Sequence, residues 1–149
     1  MVSPVATQYV GSRSEIVTET LTGGATVTSA SYNMKGANNV GYLANITSVT
    51  AGVTQLEIIA SDVTGLTSPI VIKLVDLTST PLDTVDDQAL IECSREEVAD
   101  VGNREDPARD FAFIGLRTTQ NTADLVAATR VGLVLDNPRD AATPRTTIA

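Results

Sequence analysis

Short runs of β-branched and aliphatic residues recur along the chain, and turn-forming residues separate one run from the next. Threonine (21), valine (17) and isoleucine (9) make up 47 of the 149 residues. Because β-branched side chains have stiff χ1 angles and pack well on a pleated surface, this enrichment favours strands over helices. About eight strands at such spacings, without a long helical pattern, predict an antiparallel β-sandwich. The predicted fold class is therefore all-β.

Most of the predicted strands precede residue 95, and they cover residues 14–21, 25–31, 40–50, 53–60, 70–77 and 88–94. In the fourth run, Leu56, Ile58 and Ala60 alternate with Gln55, Glu57 and Ile59, which predicts one buried face and one mostly solvated face. The turn-rich segment 78–87 has the length and composition of a connection between the two sheets of a sandwich. The pair of runs around Gly23 and Gly24 is typical of an exposed hairpin or a sheet edge.

Two apolar runs near the carboxyl end, 111–119 and 125–135, flank the polar tetrapeptide Thr119-Gln120-Asn121-Thr122. A polar loop with an asparagine between two such runs predicts a β-hairpin at the centre of a sheet. The turn-forming residues Asp136-Asn137-Pro138-Arg139 then predict that the second strand ends at residue 135.

A short helix is predicted after residue 94. Ser94 and Glu97 have the spacing of a capping box, in which the serine oxygen accepts from the amide three residues on. This arrangement predicts one helical turn through Asp100, followed by an exposed, charged loop over residues 102–110.

The length fits one domain. We expect an extended amino-terminal arm over residues 1–13, the β-sandwich over 14–135 and a second extended arm over 136–149. Both arms are rich in small residues and contain prolines, so neither is expected to fold alone.

The net charge of −8 argues against nucleic acid as a partner, because phosphate backbones would be repelled. No apolar run has membrane-spanning length, and the first residues lack the pattern of a signal peptide. We therefore expect no membrane partner and synthesis in the cytoplasm.

The sequence also predicts no catalysis. Histidine is absent, which removes the Ser-His-Asp and Cys-His arrangements and the commonest transition-metal ligand. The acidic pairs Asp86-Asp87 and Glu96-Glu97 are interpreted as solvated surface, since strand neighbours point to opposite faces. Asp83 together with the first pair lacks the spacing of a calcium loop. We expect no enzyme, cofactor, metal or small-molecule substrate.

The lone Cys93 excludes an internal disulfide and is expected to be a small buried thiol. A carbohydrate-binding module is the main alternative for a small β-sandwich, and it would require Tyr32 or Tyr42 as an exposed platform. A tail or baseplate adaptor module is a further alternative.

Several short stretches between residues 34 and 139 resemble the small proteins encoded beside the major capsid gene of tailed bacteriophages, the capsid decoration or cement proteins. These stretches are Met34-Lys35-Gly36-Ala37-Asn38-Asn39-Val40, Ser48-Val49-Thr50-Ala51-Gly52, Leu56-Glu57-Ile58-Ile59-Ala60-Ser61-Asp62, Phe113-Ile114-Gly115-Leu116-Arg117 and Val134-Leu135-Asp136-Asn137-Pro138-Arg139. The charged segment 94–110 is longer than the pattern suggests.

The resemblance implies a jelly-roll-like sandwich that decorates and stabilises a capsid. It also implies a homotrimer on the outer surface of the virion, with the major capsid protein as its partner. The two arms would make the intersubunit or capsid contacts, because segments that order on docking cover large surfaces. The candidate contact residues are Pro4, Tyr9, Arg13, Arg139 and Arg145, with Arg139 and Arg145 as charge-assisted anchors.

Overall fold

The computed structural model describes residues 15–21, 25–34, 37–49, 52–120 and 127–138, of which 15–18, 48–49 and 127–138 are described for the backbone. These residues form nine strands and one helix. In chain order, the elements are β1 (Glu15–Leu21), β2 (Thr26–Thr28), β3 (Tyr32–Asn33), β4 (Ala37–Val49), β5 (Val53–Ser61), β6 (Ile70–Asp76), β7 (Gln88–Ser94), α1 (Arg95–Glu105), β8 (Phe113–Gln120) and β9 (Ala127–Pro138).

The strands form two antiparallel sheets. Sheet A has the order β1-β9-β4-β7, and sheet B has the order β2-β8-β5-β6, with β3 also paired to β8. Buried side chains from both sheets belong to one hydrophobic cluster, so the sheets pack face to face. The predicted all-β sandwich is confirmed.

The core follows from the alternation of each strand. In β4, Val40, Tyr42, Ala44 and Ile46 are at most 1% exposed, while Leu43 on the opposite face is 40% exposed. In β5, Leu56, Ile58 and Ala60 are fully buried and contribute to the same cluster from the other sheet. Because aromatic residues are scarce, aliphatic side chains of modest size fill most of this interface.

The strands pair in a nested order: β1 with β9, β2 and β3 with β8, β4 with β7, and β5 with β6. The chain therefore follows the course of one long antiparallel hairpin whose strands alternate between two sheets. The connection 78–87 runs from β6 in sheet B to β7 in sheet A, as the sequence predicts.

The predicted hairpin between the last two runs is wrong. β8 lies in sheet B between β2 and β5, whereas β9 lies in sheet A between β1 and β4. Each is an internal strand, as expected, but the two belong to different sheets. An alternating strand can bury its apolar face whether the next strand in sequence lies beside it or in the opposite sheet. The tetrapeptide also lacks the Asn-Gly or Asp-Gly signal of a tight hairpin. β1 and β2 likewise lie at the edges of different sheets, so they form edges and not a hairpin.

The helix begins where the sequence predicts and extends further. Ser94 Oγ accepts a hydrogen bond from Glu97 N at 3.1 Å, which confirms the cap. The helix continues to Glu105, and Gly102, expected in an exposed loop, is buried within it. A Cβ at Gly102 would lie 2.7 Å from Phe111 Cδ2, so glycine lets the helix approach the aromatic ring. Tertiary packing thus extends the helix through a residue of low helix propensity.

The outer face of β5 is more buried than the alternation suggests. Glu57 is 6% exposed and Ile59 is 1% exposed, so the expectation of a mostly solvated face is wrong. Arg117 on β8 pairs with Glu57, and Leu66 from the loop between β5 and β6 packs against Gly115, the register partner of Ile59. Leu66 has a φ of 53°, so the loop adopts an unusual backbone conformation to place this side chain.

Candidate interaction surfaces

The residues predicted to make contacts lie outside the described part of the chain. They are Pro4, Tyr9, Arg13, Arg139 and Arg145. The proposed arms therefore remain predictions. At the carboxyl end, β9 reaches Pro138, three residues past the expected end of the sandwich at residue 135, and Pro138 pairs with Ala37, the first residue of β4.

The acidic residues singled out in the sequence serve local structure or face solvent. Asp87 Oδ2 accepts hydrogen bonds from the backbone N–H groups of Asp83 and Thr84 at 3.1 and 3.0 Å, which closes the turn before β7. Glu96 and Glu97 are exposed in the first turn of α1, where negative charge favours the helix dipole. Within the described ranges, no group of three or more histidine, cysteine, aspartate or glutamate side chains is placed to hold a metal ion.

The described aromatic side chains do not form an exposed platform. Tyr42 is fully buried and Phe111 is 7% exposed, while Tyr32 and Phe113 are half-buried. The Tyr32 hydroxyl donates to Glu19 Oε2 at 3.4 Å. Burial, together with the charge and hydrogen bond of Glu19, raises the pKa of Tyr32. The tyrosine platform that a sugar-binding module would use is therefore not present in this part of the chain.

Cys93 is the buried thiol that the sequence predicts. It is 3% exposed and belongs to the core cluster. Burial, with a smaller contribution from the Glu97 carboxylate, raises the pKa of the Cys93 thiol to about 12. The thiol is therefore protonated and unreactive near neutral pH.

The two open sides of the sandwich differ. On one side, Glu19 of the edge strand β1 accepts from Ala30 N at 3.1 Å through both carboxylate oxygens, and so links sheet A to the segment between β2 and β3 of sheet B. On the other side, β7 ends sheet A and β6 ends sheet B. Lys73 of β6 donates to Glu92 O of β7 at 2.9 Å and also approaches Glu97 at 3.4 Å. On this side, the Lys73 side chain therefore links the two sheet edges.

A groove of about 410 Å³ follows the β7 side of the sandwich. Its lining residues come from β4, β6, β7 and the start of α1, and they are Asn39, Lys73, Val75, Leu90, Ile91, Glu92, Cys93, Ser94 and Glu97. Leu90 is 56% exposed, the highest value among the large hydrophobic side chains that the structure describes. Its register partner Leu43, on the outer face of sheet A, is 40% exposed. This groove combines an apolar surface, acidic groups and a strand edge.

A smaller cleft of about 150 Å³ lies beneath α1. Its two arginines already have partners within the protein. Arg95 Nη1 donates to Met34 O at 3.1 Å. Arg109 Nη2 donates to Asp62 Oδ1 at 2.6 Å and to Ser68 O at 3.0 Å, with its guanidinium 4.7 Å from the centre of the Phe111 ring. The Arg109 hydrogen bond lowers the pKa of Asp62. These contacts fix α1 and the 61–69 loop, so we assign the cleft a structural role.

Among the described residues, no helix combines the length and apolar character needed to cross a membrane.

Comparison with known proteins gives no family. No family model matches the sequence, and no curated protein matches it. One similar solved structure is a protein described under "Bacillus endospore appendages form a novel family of disulfide-linked pili", with a TM-score of 0.44, 9% identity and coverage of 83% of this chain and 87% of that chain. Another, from the Sulfolobus turreted icosahedral virus, has a TM-score of 0.40 and 18% identity, and the match covers 85% of this chain but 30% of the viral chain. Likenesses of this size carry no information about function.

Proposed function

We propose that this protein is a non-enzymatic structural component of a virus particle, which decorates the outer surface of the capsid and stabilises it. In this proposal it binds as a homotrimer across neighbouring copies of the major capsid protein. The amino- and carboxyl-terminal arms make the contacts, and the β-sandwich is the rigid body that holds them.

The observation that carries the proposal is where the stretches resembling decoration proteins lie in the fold. Four of them fall on β4, β5, β8 and β9, and these are the four internal strands of the two sheets. The resemblance thus concerns the residues that specify the sandwich. This distribution supports a shared architecture with decoration proteins.

The nested strand pairing supports the finer assignment of a jelly roll. Jelly rolls are double-sheet structures of eight strands with Greek-key connections. Here, the nested antiparallel pairs form one long hairpin whose strands are divided between two sheets. β2 and β3 together occupy one position beside β8.

The character of the described surface also supports a structural role. The described charged side chains that form ion pairs or hydrogen bonds mostly hold the protein's own elements together, as Arg109 holds the 61–69 loop and Lys73 links β6 to β7. Large apolar side chains are exposed at the β6 and β7 side, where a protein partner would bury them. A decoration protein requires a stiff body and surfaces of this kind, and it requires no reaction centre.

The alternatives differ in how they fit these observations. A carbohydrate-binding module would need an exposed aromatic surface, and the buried Tyr42 and half-buried Tyr32 do not supply one. A tail or baseplate adaptor would share the same fold and surface, and the copy number in the particle distinguishes it from a shell-wide decoration protein.

A particle-binding assay tests the proposal. Particles lacking the protein would be mixed with the purified full chain and sedimented, and bound protein would be measured against the coat protein. We expect saturable binding, and we expect the double substitution Arg139→Ala and Arg145→Ala to weaken it. Arg104→Ala is the matched control, because Arg104 is 70% exposed on α1. Absence of binding, or equal binding by all three proteins, would contradict the proposal.

A further inference from the structure

The outer edge of β7 has main-chain groups directed away from its sheet. β7 pairs only with β4 among the described strands. Asp87 O accepts from Ile46 N at 2.9 Å, and main-chain groups alternate in direction along a strand. Leu90 and Glu92 therefore direct their N–H and C=O groups away from β4. The bond from Lys73 Nζ to Glu92 O agrees with this direction.

This edge is accessible along most of its length. Five consecutive residues of β7, from Leu90 to Ser94, line the 410 Å³ groove. Leu90 and Val75 supply its apolar surface, and Glu92 and Glu97 supply its negative charge, with Lys73 as the single cation. An edge of this kind is a template for an added strand, which would gain main-chain hydrogen bonds and bury its apolar side chains.

The segment preceding β1 has the composition to occupy the groove. Residues 5–10, Val-Ala-Thr-Gln-Tyr-Val, are rich in strand-favouring types, and Val5, Thr7 and Tyr9 alternate with their neighbours. No acidic residue lies between Met1 and Ser14, and Arg13 is positive, whereas the whole chain has a net charge of −8. The segment 139–149 fits less well because it contains Asp140 and Pro144. Charge and strand propensity therefore both favour the amino-terminal segment.

The topology favours the groove of a neighbouring copy over the groove of the same copy. Glu15 pairs with Leu135, Leu135 with Val40, and Val40 with Cys93, so β1 starts level with the end of β7. Within one copy, the segment would cross four strand spacings, about 19 Å, to reach the outer side of β7, and would then run parallel to β7. Every described strand pair is antiparallel, and parallel pairing is slightly less stable per residue. A second copy can offer its β7 in the antiparallel direction.

We infer that residues 5–10 of one copy add as a strand to the outer edge of β7 in a neighbouring copy, with Tyr9 beside Leu90 in the groove. This contact is head-to-tail, and three such contacts close a ring with three-fold symmetry. The inference deepens the trimer of the proposed function by assigning its interface, but it does not depend on the capsid.

Sedimentation velocity of the purified full chain, without particles, tests the inference. The variants Leu90→Asp and Tyr9→Asp place a charge on each side of the contact. Leu43→Asp and Ser3→Asp are their matched controls, since Leu43 is opposite Leu90 in register but does not line the groove. We expect the parent protein to be a trimer and both groove variants to form a weaker one, with a dissociation midpoint at a protein concentration at least roughly tenfold higher. A tenfold change corresponds to about 1.4 kcal/mol. The controls are expected to behave like the parent protein.

Hydrogen exchange of the Leu90 and Glu92 amides provides a second measurement that does not depend on how the variants fold. These amides are expected to be protected in the trimer and to exchange faster in Tyr9→Asp, while the Ile91 amide, bonded to β4, changes little. A parent protein that is monomeric, with or without protected β7 amides, would overturn the inference. So would controls that dissociate as readily as the groove variants. Failure of particle binding by an intact trimer would contradict the proposed function alone.

Discussion

The ion pair between Glu57 and Arg117 provides a quantitative test of how sheet B is stabilised. The two residues are register partners on β5 and β8. Arg117 Nε donates to Glu57 Oε2 at 2.5 Å, and Gln55 Nε2 donates to Glu57 Oε1 at 2.8 Å. The glutamate side chain is 7% exposed and the arginine side chain 28% exposed. The carboxylate therefore depends on these two partners in place of water.

Arg117→Met is expected to destabilise the protein strongly, because it leaves the Glu57 carboxylate buried without its cation. Removing one partner of a buried pair costs about 3–5 kcal/mol, and the partial exposure of Arg117 places this case near 3 kcal/mol. For a chain of this size, that loss lowers Tm by roughly 6–12 °C. The double variant Glu57→Leu with Arg117→Met removes both charges, and it is expected to regain most of the lost stability.

Urea unfolding followed by far-ultraviolet circular dichroism measures both effects. Arg104→Met is the control for the substitution itself, and its exposed pair with Glu105 is expected to contribute little. An Arg117→Met variant within about 1 kcal/mol of the parent protein would refute the reasoning. A double variant as unstable as the single variant would show that lost packing, and not the unpaired charge, is responsible.

Three further substitutions test other parts of the fold. Ser94→Ala removes the cap of α1 and is expected to lower the free energy of unfolding in urea by about 1 kcal/mol, while Ser94→Asp retains most of the stability. Equal stability of Ser94→Ala and the parent protein would contradict the assigned cap. Tyr42→Phe removes a buried hydroxyl that has no hydrogen-bond partner among the described residues. The free energy of unfolding of this variant should therefore equal or exceed that of the parent protein. A loss above about 1 kcal/mol would show that the hydroxyl does have a partner. The raised pKa of Cys93 predicts stability that falls as pH rises from about 9 to about 12. The reason is that the thiol has its ordinary pKa of 9.0 in the unfolded chain and therefore loses its proton there before it does so in the folded protein. The Cys93→Ala variant should show a smaller fall over the same pH range, and an identical pH profile would argue against the buried thiol.

Local signals in the sequence predict individual elements well. The bounds of β7 follow from a short alternating run, and the Ser94 cap follows from the spacing of Ser94 and Glu97. The turn-rich segment 78–87 identifies a crossing between sheets, since no regular element suits its composition. In each case, neighbours in sequence are sufficient to determine the structure.

Features that depend on distant residues are not predictable in this way. The assignment of β8 and β9 to different sheets depends on which strands lie beside them, and alternation alone does not specify this. The length of α1 depends on the fit of Gly102 against Phe111, which is nine positions away. The burial of Ile59 on the outer face of sheet B depends on neighbouring strands and on the 61–69 loop.

The candidate interaction surface shows the same limit. The sequence directs attention to the arms through composition and through the resemblance to decoration proteins. The β7 groove, by contrast, exists only because two sheets end on the same side of the sandwich with a gap between them. In the sequence, Leu90 is one aliphatic residue of an ordinary strand, and only the fold shows that it is exposed beside a strand edge to which no described strand pairs.

Quantitative mass spectrometry of purified particles tests the proposal that the protein decorates the whole capsid shell. Copies of this chain would be counted against copies of the major coat protein in particles of the virus that, in this proposal, encodes it. We expect near-stoichiometric abundance, with copies in a fixed ratio to the coat protein. A few copies per particle would assign the chain to the tail or a unique vertex, and its absence from the particle would contradict the virion role altogether.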